Sequence, residues 1–218
     1  MPYLERFNGN WPLEETVKVI EKSTERYHVN ATYPVYFLSG RSLNIFNTVI
    51  FSKITGYVDD FTNMAKQLIL PDGRKSELNG EHSTYTALHR FITVIIDVYP
   101  HLGGAHPNHD ILATTFDTAA NATITLSDLF AAGSNYLERL STLAEKALFI
   151  KYPELDFAFN DPTYRKGFAP KAENFNHWAL TDSGFIIFFP EYQVAPYAAG
   201  VLDVEIPYAD ISDIINNH

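Results

Sequence analysis

Residues 99–110 read YPHLGGAHPNHD, placing His101, His106, His109 and Asp110 around the pair Gly103-Gly104. Imidazole is the usual neutral donor to zinc, which takes N and O ligands in a tetrahedral array. The cluster therefore has the chemistry of a metal-dependent hydrolase. Its spacing, His-x4-His-x2-His, differs from the His-Glu-x-x-His signature, whose two histidines share one helical face. Gly103, Gly104 and Pro107 preclude a helix here, and no acid-base glutamate stands beside the histidines. The competing reading is a turn between strands, with Gly-Gly supplying positive φ and a histidine bonding the backbone.

Other constellations carry less. Thr181-Asp182-Ser183-Gly184 contains a hydroxyl nucleophile, but it falls in a predicted hairpin turn that accounts for all four residues. There is no Gly-x-Ser-x-Gly elbow, phosphate-binding loop or dinucleotide fingerprint. Asp59-Asp60 and Glu14-Glu15 read as solvated surface pairs. No catalytic residue, metal or cofactor is expected.

Elements must position whatever site exists. Alternating Val17, Val19, Tyr27, Val29 and Ala31 predict a long bent strand or hairpin closed at Tyr33-Pro34. Leu43, Ile45, Phe46, Val49, Ile50, Ile54, Val58 and Phe61 recur every three or four residues, the face of a long helix ending near Leu70, before Pro71-Asp72-Gly73. Residues 83–98 read as one strand and 109–117 as its partner, with the histidine loop between them. A short strand at 123–130 runs into a turn. A second helix follows Ser134 or Asn135, with Leu137, Leu140, Leu143, Ala144, Ala147 and Leu148 inward. Residues 176–189 read as a hairpin whose second strand, FIIFF, is apolar on both faces and so should be central. A long loop at 190–200, a last strand and a short closing helix complete the chain. Without βαβ alternation the fold class is α+β, antiparallel sheets with packed helices. A soft boundary gives two intimately packed subdomains, 1–75 and 76–218.

Composition narrows the partners. A 46% apolar share in 218 residues can bury a real core, and the 14% aromatic share favours β structure. A net charge of −10 repels nucleic acid and attracts basic proteins. The absence of cysteine excludes disulfides and thiol chemistry. No run of about 18 apolar residues is present, and the N-terminus MPYLERFNGNWPLEE has no signal-peptide core.

The tail is the most specific stretch. FIIFFPEYQVAPYAAG (185–200), followed by VEIPY, resembles the C-terminal half of a bacterial extracytoplasmic family that includes the lysozyme-sensing anti-sigma factors of the RsiV type. The same module is similar to the N-terminal part of peptidoglycan deacetylases of the PdaC type. Gly103-Gly104-Ala105-His106-Pro107 looks like that family's second hallmark. The resemblance covers residues 15–215. It implies a PdaC-like N-terminal strand-helix subdomain, an RsiV-like C-terminal one, a periplasmic or cell-surface location, and no metal role for the loop.

The expected function is thus a non-catalytic cell-envelope module that binds a lysozyme-like protein or a cell-wall ligand such as peptidoglycan. The alternative is a metal-dependent hydrolase or deacetylase of peptidoglycan or glycan, acting through His101, His106 and His109. Candidate partner-binding residues are Gly103, Gly104, His106, Pro190, Tyr192 and Tyr197. Tyrosines give large contact area with few rotors, and prolines limit the entropy lost on association. His106 is expected to bond within its turn and order Gly103-Gly104, and Tyr197 to pack back onto the sheet.

Overall fold

A computed structural model describes residues 11–216; residues 1–10, most of the stretch read for a leader, lie outside the described part. Strands β1 (Leu13–Ser23) and β2 (Tyr27–Leu38) form a hairpin, and β3 (Arg41–Ser42) folds onto the end of β2. Helix α1 (Asn44–Gln67) follows, then β4 (Ser76–Ala87), β5 (Phe91–His101), β6 (Asp110–Asp117) and β7 (Ala122–Ile124). These strands make one sheet in the order β1-β2-β4-β5-β6-β7, with β3 paired to β2. After α2 (Tyr136–Lys151) and short helices α3 (Asp156–Phe159) and α4 (Pro162–Arg165), a second sheet has the order β10-β9-β8. Its members are β8 (Trp178–Leu180), β9 (Gly184–Phe189) and β10 (Leu202–Pro207).

The fold is α+β, but its larger sheet is not antiparallel throughout: β2 and β4 pair in parallel, Tyr27–Ala31 with Ser76–Gly80. The intervening α1 is the crossover that parallel neighbours require. Beyond Ala31 the two strands no longer pair, and side chains bridge them instead. The Glu15 carboxylate accepts from Thr84 at 2.6 Å and meets His82 Nε2 at 3.0 Å, while the Tyr36 and Thr84 hydroxyls are 2.6 Å apart. Burial alone would raise the Glu15 pKa; the bonds from Thr84 and His82 outweigh it and hold the group below the ordinary carboxylate value. Glu15 is thus a surface carboxylate that also ties β1 to β4.

Three other expectations need correction. Pro34 lies inside β2, and the hairpin turns at 24–26, where Thr24 Oγ1 accepts from the Tyr27 and Arg26 amides. Residues 83–98 are not one strand: the chain reverses at 88–90, with Leu88 and His89 at φ 58° and 49°. No glycine or asparagine marks that turn; Asp182 supplies its support by accepting from the Leu88 amide at 2.7 Å. The closing segment makes only a 3-10 turn at Tyr208–Asp210. Ile211, Ile214 and Ile215 are buried there, and Ile215 bridges back to Phe130.

Burial falls into two clusters. Phe46, Ile50, Ile54, Val58 and Phe61 of α1 pack on Val29, Leu78, Ile92 and Val94 of the large sheet. Leu140, Ala144 and Leu148 of α2 pack on Phe185, Ile187, Phe189 and Val204, and this cluster reaches Ala87, Leu88 and Phe91. β9 is the central strand of its sheet, as its two apolar faces require, and its Phe188 meets Tyr85 of β4. One oddity stands out in α1. Gly56 is exposed in mid-helix, where glycine costs about 0.5–1 kcal/mol relative to alanine, and a Cβ there would meet nothing within 4 Å.

Candidate functional site

The histidine loop and the tail loop meet. The loop leaves β5 at His101 and returns to β6 at Asp110, tied by the Asn108 amide donating to the Pro100 carbonyl at 3.0 Å. Gly103 has φ 94°, and a Cβ there would come 2.3 Å from Leu70 Cδ2, so the loop is seated on the segment after α1. Any other residue would be strained at that angle and would displace the end of the Leu70 side chain.

Each imidazole has a separate partner. His101 Nε2 meets the Gly104 carbonyl at 3.2 Å, His106 Nδ1 the Pro107 carbonyl at 2.9 Å, and His109 Nε2 the Asp97 carboxylate at 2.8 Å. The His109 ring also stacks on Tyr99 at 4.5 Å. His106 thus bonds within its turn as expected, but it is His101 that holds Gly104. Among the described residues no group of three His, Cys, Asp or Glu side chains is placed to hold a metal ion. The sequence cluster is not a shared ligand set, because each ring is held by a different partner.

The tail loop is anchored from below. Gln193 Nε2 donates to the carbonyls of Gly167 (3.1 Å) and Asn174 (2.9 Å), and Val194 and Ala195 are buried. Tyr192, between these anchors and Pro190, is 57% exposed and sits at φ 67°. A bulky residue in that left-handed region costs on the order of 1–3 kcal/mol, and such strain gathers at functional sites. Tyr197 stacks on His106 at 4.0 Å and lies 5.6 Å from Tyr192, and its hydroxyl donates to the Pro107 carbonyl at 3.2 Å. Tyr197 therefore packs onto the histidine loop and not onto the sheet. The arrangement is a rigid aromatic platform: His106, Tyr197, Tyr192, with Pro190 and Gly103-Gly104 at its margins.

Glu191 was not singled out by its sequence position, yet burial raises its pKa, against the opposing pull of His109 and His106. Asp97 and Tyr99, which fix His109, were likewise unmarked. So was His177, beside Asp110 and Ile111, whose pKa burial pushes below the ordinary histidine value. The sign follows from linkage. Below about pH 6.5 the unfolded chain takes up a proton at this residue that the folded chain resists, so stability declines as pH falls. We expect His177→Gln to flatten the decline in urea midpoint between about pH 7.5 and 5.5. An unchanged slope would contradict the assignment.

Residues 127–209 match the model of the family described as "Protein of unknown function (DUF3298)". The chain is 27% identical over 146 residues to the peptidoglycan-N-acetylmuramic acid deacetylase PdaC of Bacillus subtilis, covering 65% of this chain but 30% of the deacetylase. It is 23% identical over 194 residues to esterase Rv3036c of Mycobacterium tuberculosis, covering 88% of this chain and 80% of the esterase. The crystal structure of a DUF3298 family protein from Pseudomonas aeruginosa PAO1 superposes with TM-score 0.68 at 12% identity, covering 96% of each chain, which establishes the fold. Residues 127–209 thus match the DUF3298 family, within a chain that is similar to part of PdaC and has the fold of a DUF3298 family protein.

Proposed function

We propose that this chain is a non-catalytic module of the bacterial cell envelope that binds a basic, lysozyme-like protein through the His106–Tyr197–Tyr192 platform. The observation that carries this reading is Tyr192: 57% exposed, held at φ 67°, and flanked by residues anchored beneath it. A large ring kept outward at a conformational cost is pre-organised for contact, so little entropy is lost on binding. The net charge of −10 supports a basic partner. Its field acts over about a Debye length, ~8–10 Å at moderate salt, and steers encounter. An extracytoplasmic site of action is supported by the similarity to PdaC. No helix of the described residues is long and apolar enough to cross a membrane. The hydrolase reading through His101, His106 and His109 has little support, since the three rings are committed to separate partners.

Calorimetric titration against a panel of lysozymes tests the proposal. Tyr192→Ala is expected to weaken the complex by about 1–3 kcal/mol with the melting curve nearly unchanged. Rising salt is expected to weaken it further. A wild-type protein that binds none of the panel would remove the lysozyme claim.

A further inference from the structure

A concavity lies between α1 and the outer edge of β6, with a volume of about 750 Å³, within the range of small-ligand sites. Ser52, Lys53, Gly56 and Asp60 of α1 form one wall. The floor is β6 from Ile111 to Thr115, and Thr123 and the segment Asn176–Trp178 close the far side.

The floor is an open sheet edge, because β7 pairs with β6 only from Thr115 onward. Open edges invite an added strand, but this one is blocked at alternate positions. Lys53 Nζ donates to the Ala113 carbonyl at 2.7 Å, and the His177 ring bonds the Ile111 backbone. The Ala113 N–H points to the same side as its carbonyl and stays open to the cleft. What remains is one amide donor and a ring of mixed polar groups. Lys53 brings an ammonium whose partial loss of hydration draws its pKa below the ordinary lysine value. Asp60 brings an acceptor; Ser52, Thr114 and Thr123 bring hydroxyls that bond no other described side chain or backbone group. Donors and acceptors interleaved around apolar Ile111 and Trp178 match a molecule whose hydroxyls each donate and accept. Gly56 is an independent sign. It weakens α1 and leaves open space where any side chain would project into the cleft.

We propose that this cleft binds a segment of uncharged, N-acetylated glycan, its acetamido carbonyl on the Ala113 N–H and its hydroxyls on Lys53, Asp60 and the threonine and serine hydroxyls. The site shares no residue with the aromatic platform, so it stands or falls apart from the lysozyme reading.

Titration with tri-N-acetylchitotriose and with cellotriose, which carries hydroxyls in place of the acetamido groups, is the experiment. The acetylated trimer is expected to bind about tenfold more tightly than cellotriose, and Lys53→Met to weaken it about tenfold. Gly56→Gln is expected to abolish binding while raising the melting temperature by about 1–4 °C. That pairing separates a blocked site from a damaged fold. Equal binding of the two trimers, undiminished binding by Gly56→Gln, or no saturation of the wild type at millimolar sugar overturns the proposal.

Discussion

Asp117→Ala is expected to destabilise the fold by about 3–5 kcal/mol, the loss typical when one member of a buried ion pair is removed. Asp117 is fully buried at the end of β6. Arg90 Nε and Nη2 donate to its two oxygens at 2.9 and 2.6 Å, and the Ala119 and Ala120 amides donate to Oδ1 at 2.9 and 3.2 Å. Alanine would take the carboxylate away from a guanidinium that is only 22% exposed and from two turn amides at once. Those groups close the β4–β5 and β6–β7 reversals at the same end of the large sheet. Chemical denaturation with an unchanged m-value measures the cost; a loss under about 1 kcal/mol would mean that Arg90 finds other solvation.

Gly167→Ala is expected to cost about 3 kcal/mol, the upper end for overpacking. A Cβ on Gly167 would lie 2.1 Å from the Gln193 carbonyl oxygen, which is backbone and cannot rotate away. The same contact seats the tail loop, since the Gly167 carbonyl accepts from the Gln193 side chain at 3.1 Å. The substitution should therefore lift residues 190–197 and disturb the Tyr192–Tyr197 arrangement as well as stability. A variant that melts like the wild type and keeps its partner affinity would show that the loop is held elsewhere.

Much of this architecture was legible in the residues. The periodic apolar faces of α1 and α2 and the double-sided FIIFF strand specify burial directly, because hydrophobic spacing and secondary-structure period must agree. The tail motif located one half of the platform, and Gly103-Gly104 the other. What stayed hidden was set by long-range partners. The reversal at Leu88–His89 has no turn residue of its own and depends on Asp182, nearly a hundred positions away. The parallel β2–β4 pairing follows from where α1 returns the chain. The 75/76 boundary falls directly before β4, and the large sheet runs across it. The histidines misled in the opposite direction: adjacency along a loop suggested a shared ligand, and their hydrogen bonds separate them. Glu15 is surface charge that also ties β1 to β4, and Lys53 and Gly56, which no motif marks, flank a cleft.

The most direct measurement of the central claim is amide hydrogen exchange of the wild-type protein with and without a basic lysozyme. The account predicts that protection gained on binding concentrates in residues 101–109 and 190–198, the two loops that build the platform. Protection confined to other surfaces, or none in either loop at saturating lysozyme, would contradict it.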